Sequence, residues 1–152
     1  MINFYSKIFE NINYLLGQTD LIALEKISKS LISTNKKNKK VIIFGNGGSA
    51  AISSHVSVDL TKNAGIRSIN FNEADLLTCF SNDYGYKKVF SKSLEFYADK
   101  SDVVIIISAS GRSKNLLEAA KICKKKKNLA LHINRNVQIK STKKIGRYKF
   151  MG

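Results

Sequence analysis

The run Val103-Val104-Ile105-Ile106-Ile107, entered from Asp102 and left through Ser108-Ala109-Ser110-Gly111, most constrains what this chain can become. Five consecutive β-branched residues disfavour a helix, because their side chains lose rotamer freedom against the preceding turn. A strand that is apolar at every position has no wet face, so it belongs inside a parallel sheet with helices on both sides. A second run, Val41-Ile42-Ile43-Phe44, reads the same way and passes into Gly45-Asn46-Gly47-Gly48-Ser49. Both strands therefore end in a turn of small residues, and a helical segment follows each.

Around these strands the elements alternate. Residues 3–16 align Phe4, Ile8, Ile12, Leu15 and Leu16 on one face, and 20–33 align Leu21, Leu24, Ile27, Leu31 and Ile32. This spacing predicts two leading amphipathic helices, which must pack on something, another subunit included. Residues 49–62, 87–97 and 113–126 read as helices, the last with Leu116, Leu117, Ala120 and Cys123 inward, and 73–80 as a short helical turn. Residues 66–71 and 129–134 read as strands. The alternation predicts an α/β fold with a parallel sheet covered on both faces.

At 152 residues and 43% hydrophobic content the chain is long enough for one domain with a core. Cys79 and Cys123 lie in no metal or redox spacing and read as reduced thiols. No secretory signal is evident at the amino terminus and no apolar run is long enough for a membrane span, so the expected location is the cytoplasm, with no membrane partner. The formal charge of +15 gathers in lysine clusters at 35–40, 124–127 and 140–150. Without aromatic interleaving, zinc-finger spacing or a recognition helix, the clusters read as solvated surface and argue against nucleic acid as partner. A positive surface would help attract a phosphorylated substrate.

The two turns carry the functional expectation. In an open parallel sheet the ligand crevice lies beyond the carboxyl ends of the strands. Small residues there let the backbone approach a ligand, and helix starts offer free N–H groups to an anion. The hydroxyls of Ser108, Ser110 and Ser113 would add uncharged donors. Serines at a helix start are also ordinary caps, and glycines ordinary turn formers. The first turn matches neither a dinucleotide fingerprint, for want of the third glycine, nor a P-loop, for want of Gly-Lys-Ser/Thr, and no nucleotide cofactor is expected.

The stretches "FGNGGSA" with His55 and Asp59 beyond it, "SNDYGY" and "ISASGRS" together resemble the motifs of sugar isomerase (SIS) domain proteins, and in this order those of phosphoheptose isomerases. The resemblance spans roughly residues 1–134 and implies a doubly wound, flavodoxin-like parallel sheet, with 135–152 left as a basic tail. It implies conversion of sedoheptulose 7-phosphate to D-glycero-D-manno-heptose 7-phosphate, or, as the alternative, a non-catalytic SIS module that binds sugar phosphates. It further implies a homo-tetramer with active sites at subunit interfaces. By the same resemblance Ser49, Ser108, Ser110 and Ser113 bind the sugar phosphate, Asn46 and Gly47 shape the first turn, and Asp83 contacts substrate, although "NDYG" alone reads equally well as a turn. His55 matches a histidine that binds a metal, often zinc, in many members, and Asp59 stands where those enzymes carry a glutamate acting as base and metal ligand. At i, i+4 the two share one helical face and are expected to point jointly at the cleft. His132 reads as a strand-end residue. The family pattern continues past Asn134 with a strand and a helix carrying a glutamine and a histidine; here Gln138 is followed by no such helix, so the last strand and helix read as missing.

Overall fold

The computed structural model describes residues 1–126, 128–134 and 140–141. Two helices, α1 (Ile2–Gly17) and α2 (Leu21–Lys36), lead into β1 (Val41–Gly45), α3 (Gly48–Lys62) and β2 (Ser68–Asn70). Then come α4 (Ala74–Tyr84), a 3-10 turn (Tyr86–Lys88), α5 (Val89–Tyr97), β3 (Val103–Ser108), α6 (Lys114–Lys125) and β4 (Leu129–Asn134). A two-residue strand β5 (Lys140–Ser141) completes a sheet of order β2-β1-β3-β4-β5. The first four strands are parallel, and β5 runs antiparallel to β4.

Both long runs are buried, as a strand without a wet face must be. In register, Val41 to Gly45 pair with Val103 to Ile107. Alternate residues feed two cores. Ile42, Phe44, Val104, Ile106 and Ala130 pack with α5 and α6, and Phe44 stacks between Phe71 and Phe90. Val41, Ile43, Val103, Ile105 and Leu131 pack against Ile27 and Leu31 of α2 and Val56 and Leu60 of α3. The chain winds on one face from β1 to β2 and on the other from β2 through β4, the doubly wound arrangement.

Several expectations are corrected. α4 runs on to Tyr84, because Phe80 meets both Tyr84 and Phe96 edge-on and carries the polar "SND" along. Residues 87–97 divide into the 3-10 turn and α5. On α6 the inward residues are Asn115, Leu116, Ala119 and Cys123, with Ala120 partly buried against the same core, while Leu117 is 40% exposed and turns outward. Burial pushes the Cys123 thiol up to about 12, which keeps it inert. The sheet does not stop at Asn134, since β5 pairs with Leu131 and His132. His132 lies within β4, where burial holds its imidazole below the ordinary value; its Nε2 has no partner among the described residues. Gln138 and the rest of the tail lie outside the described residues.

At the amino ends of the strands one acid ties three segments together. Asp102, fully buried, accepts from the backbone N–H of Lys40 at 3.1 Å and of Asp99 at 2.8 Å, and its Oδ2 lies 2.7 Å from Lys40 Nζ. Burial alone would lower the Lys40 pKa, but hydrogen bonds to Asp102 and Asp99 and their charges outweigh it and hold it above 10.5. The lysine's contribution is therefore present below pH 10.5 and lost as the pH rises through its raised value. Removing Asp102 strands the donors around a buried pair, so Asp102→Ala is expected to cost about 3–5 kcal/mol in urea unfolding at neutral pH. A loss below 1 kcal/mol would show the latch to be incidental.

Candidate functional site

The site sits where the chain reverses its direction of winding. β2 lies to one side of β1 and β3 to the other, so the crevice between the carboxyl ends of β1 and β3 is the topological switch point. A cleft of about 180 Å³ opens there, lined by Asn46, Ser49, Ile107, Ser108, Ala109, Ser110, Ser113 and Leu116. Five of the seven substrate-binding residues expected from sequence thus meet at one place.

Gly45 makes this possible. A Cβ on it would stand 2.7 Å from Ser49 Cβ and 2.8 Å from the carbonyl oxygen of Ile107, so only glycine lets α3 start directly against β3. Gly47, the α3 N-cap residue, has φ of 55° with nothing around it; its role is conformational. Edge support comes from two asparagines, one closing β2 and one two residues beyond it. Asn70 Nδ2 donates to the carbonyl of Ile43, while Asn72 accepts from the N–H of Gly45 and donates to its carbonyl. Side-chain amides thereby continue the ladder where strand backbone ends.

The second turn is internally braced. Ser108 Oγ accepts from Gly111 N–H at 3.0 Å and Ser110 Oγ from Arg112 N–H at 3.2 Å, leaving each hydroxyl proton as a donor. Ser113 is the N-cap residue of α6, yet its side chain makes no capping bond. The first-turn N–H groups of that helix have no backbone acceptor within it, the Leu116 N–H being taken by Asn115 Oδ1, and they bear the positive end of its dipole. The cleft is an uncharged basket of hydroxyl and amide donors.

Two residues at the site were not anticipated. Asn115, 3% exposed, exchanges paired amide hydrogen bonds with Asn46, both 3.0 Å, and the hydroxyl of Tyr86 donates to Asn46 Oδ1 at 2.9 Å. The available signal was an asparagine, a poor helix former, in the first turn of α6.

Other expected residues stand apart. α3 turns Ser53, Val56, Ser57 and Leu60 inward, so His55 and Asp59 lie outward, with side chains 80% and 49% exposed and His55 Nε2 3.6 Å from Asp59 Oδ2. Neither lines the cleft, contrary to the joint aim expected of them. Asp83 is exposed at the end of α4, accepting from Asn82 Nδ2. The described lysines of the first two clusters are also misplaced for steering. Lys36, Lys37, Lys39, Lys124 and Lys125 lie at the amino ends of β1 and β4, opposite the cleft. Among the described residues no three of His, Cys, Asp or Glu gather as a metal group. Zinc sites use three or four protein ligands, so the described residues of one chain do not make up such a site.

The SIS domain family model matches residues 5–129, most of the chain. The chain belongs to the SIS domain family. Among curated relatives of this SIS domain, the phosphoheptose isomerase of Cytophaga hutchinsonii is 36% identical over 119 residues, covering 75% of this chain and 62% of the relative. That of Campylobacter concisus is 39% identical over 127 residues, covering 80% and 65%. The SIS chain thus spans somewhat under two thirds of the length of these relatives. Among solved structures, a phosphoheptose isomerase from Francisella tularensis superposes with a TM-score of 0.79 at 21% identity, covering 88% of this chain and 74% of that one. Phosphoheptose isomerase GmhA from Neisseria gonorrhoeae gives 0.79 at 25%, covering 87% and 74%. No helix among the described residues is long and apolar enough to cross a membrane.

Proposed function

We propose that this SIS domain acts as an aldose-ketose isomerase of the phosphoheptose isomerase type, interconverting sedoheptulose 7-phosphate and D-glycero-D-manno-heptose 7-phosphate. The observation that carries the reading is the uncharged donor basket at the β1/β3 switch point. The phosphate sits against Ser108, Ser110, Ser113 and the start of α6, with Ser49 opposite, because hydroxyl and N–H donors satisfy its oxygens and the helix dipole offsets its charge.

With the phosphate anchored, the far end of the open-chain sugar presents C1 and C2 to the first turn. Isomerisation removes the proton on the carbon beside the carbonyl, its electron pair forms the enediolate, and a proton is returned at the neighbouring carbon as the carbonyl moves. Atoms and charge balance without any redox partner. Asp59, backed by His55, is the proposed proton carrier, and Asp83 the proposed contact to the sugar.

On a single chain the His55–Asp59 face looks outward beside exposed Ile52 and Val58, and α1 has no buried residue at all. A homo-oligomer, a tetramer in this reading, would cover both surfaces and bring α3 of one copy toward the cleft of another. The proposed setting is the cytoplasm, supplying heptose for surface polysaccharide.

The test is incubation with sedoheptulose 7-phosphate in deuterated water, followed by NMR, beside calorimetric titration with the sugar phosphate and with free sedoheptulose. Deuterium entering at C1 or C2 together with the aldose product is the expected result. Binding without exchange would instead make the chain a non-catalytic sugar-phosphate module, and equal affinity for sedoheptulose and its phosphate would defeat both readings.

A further inference from the structure

The paired amides beside the cleft have only one self-consistent assignment. Asn115 Oδ1 accepts from the backbone N–H of Leu116 at 3.0 Å, which fixes the side-chain orientation, since a flipped amide would set its NH2 against that N–H. The Asn115 NH2 must then face the Asn46 oxygen, and the Asn46 NH2 must face the Asn115 oxygen, as the two 3.0 Å bonds have it. The Tyr86 hydroxyl, 2.9 Å from that same Asn46 oxygen, can only donate to it. An amide offers two lone pairs and two N–H groups. Both lone pairs of Asn46 are filled and one N–H is taken, so one N–H is left, on a residue that lines the cleft.

We propose that Tyr86 and Asn115 are positioning residues which lock the Asn46 side chain so that its remaining N–H donates to an oxygen of the substrate's sugar portion. The inference rests on the isomerase reading above and adds to it the group that discriminates the sugar from bare phosphate. Three segments meet in the lock: the turn after β1, the 3-10 turn, and the first turn of α6. Asn115 is buried in the junction and Tyr86 closes it from the solvent side, 56% exposed. A donor fixed in this way needs no rearrangement as negative charge develops on a substrate oxygen.

The experiment uses the full chain, Tyr86→Phe and Asn115→Leu. Tyr86→Phe removes one donor from an exposed position and spares the fold. Asn115→Leu keeps the buried volume, brings no charge to the cleft and breaks the paired amides. In the unliganded parent, 15N NMR should show the two Asn46 side-chain protons exchanging at different rates, the one bound to Asn115 slowly, and Asn115→Leu should erase the difference. Affinity for sedoheptulose 7-phosphate should fall about threefold in Tyr86→Phe and about tenfold in Asn115→Leu, the range for losing control of one neutral hydrogen bond. Affinity for inorganic phosphate should stay the same in all three.

Fast, equal exchange of both Asn46 protons in the parent would overturn the lock. A parallel fall in sugar-phosphate and inorganic phosphate affinity would overturn the donor role, since it would mark general collapse of the cleft. Failure of the isomerase reading itself has a different signature: a parent that does not bind sedoheptulose 7-phosphate at all.

Discussion

A Ser110→Asp chain is expected to lose sugar-phosphate binding by about three orders of magnitude while its fold persists. The aspartate can still accept the Arg112 N–H that Ser110 accepts now, because a carboxylate bonding the N–H two residues on is a common turn device. What changes is the charge facing the ligand. Two like charges about 4 Å apart at an effective dielectric near 20 repel by about 4 kcal/mol, and each 1.4 kcal/mol is tenfold in affinity. Free sedoheptulose, which carries no charge, should bind the variant and the parent alike, and Ser110→Ala should lose only the few-fold worth of one hydroxyl donor. Calorimetric titration of the three chains with sugar and sugar phosphate reads this directly. Undiminished phosphate affinity in Ser110→Asp would place the phosphate elsewhere.

Replacing Gly45 by alanine should damage fold and site together. The added methyl would lie within 3 Å of Ser49 Cβ, the Ser49 carbonyl carbon and the Ile107 carbonyl oxygen, two of them backbone atoms that cannot swing away. The start of α3 must be pushed off β3, and overpacking of this kind costs about 1–3 kcal/mol, more where backbone has to move. For a domain of this size that is a fall in Tm of roughly 2–12 °C, with the cleft widened between Ser49 and the second serine turn. Gly47→Ala is the informative contrast. Its Cβ meets open space, so any loss comes from the positive φ alone, at about 1–3 kcal/mol. Thermal melts and phosphate titrations of both variants separate crowding from strain; a Gly45→Ala chain that melts with the parent would show that the α3–β3 contact yields freely.

The two strands and the serine turns were legible because their signals are local. A run of β-branched residues between polar ends admits one structure, and small residues after it admit a tight turn. Which way a helix faces is a different kind of information. The spacing on α6 placed Leu117 and Ala120 inward by their period, but the fold buries Ala119 fully, leaves Ala120 partly buried and leaves Leu117 40% exposed. On α3 the shared face of His55 and Asp59 followed from i, i+4 spacing, whereas its direction depended on which other residues, Val56 and Leu60, the sheet would claim. Asn115 and Tyr86 were invisible for a related reason. Each is an ordinary polar residue until the fold carries it, across 69 and 40 positions of sequence, to Asn46.

The charged latch of Lys40 with Asp102 and the uncharged cleft stand at opposite ends of β3. The six residue steps from Asp102 to Ser108 put them about 20 Å apart at ~3.3 Å per residue. Substitutions separated by more than 7–10 Å with no shared partner add independently. Over evolutionary time this geometry lets the serines of the turn tips drift toward new anionic ligands one residue at a time, the glycines that shape the turns held fixed, because the charged latch is out of reach of each trial.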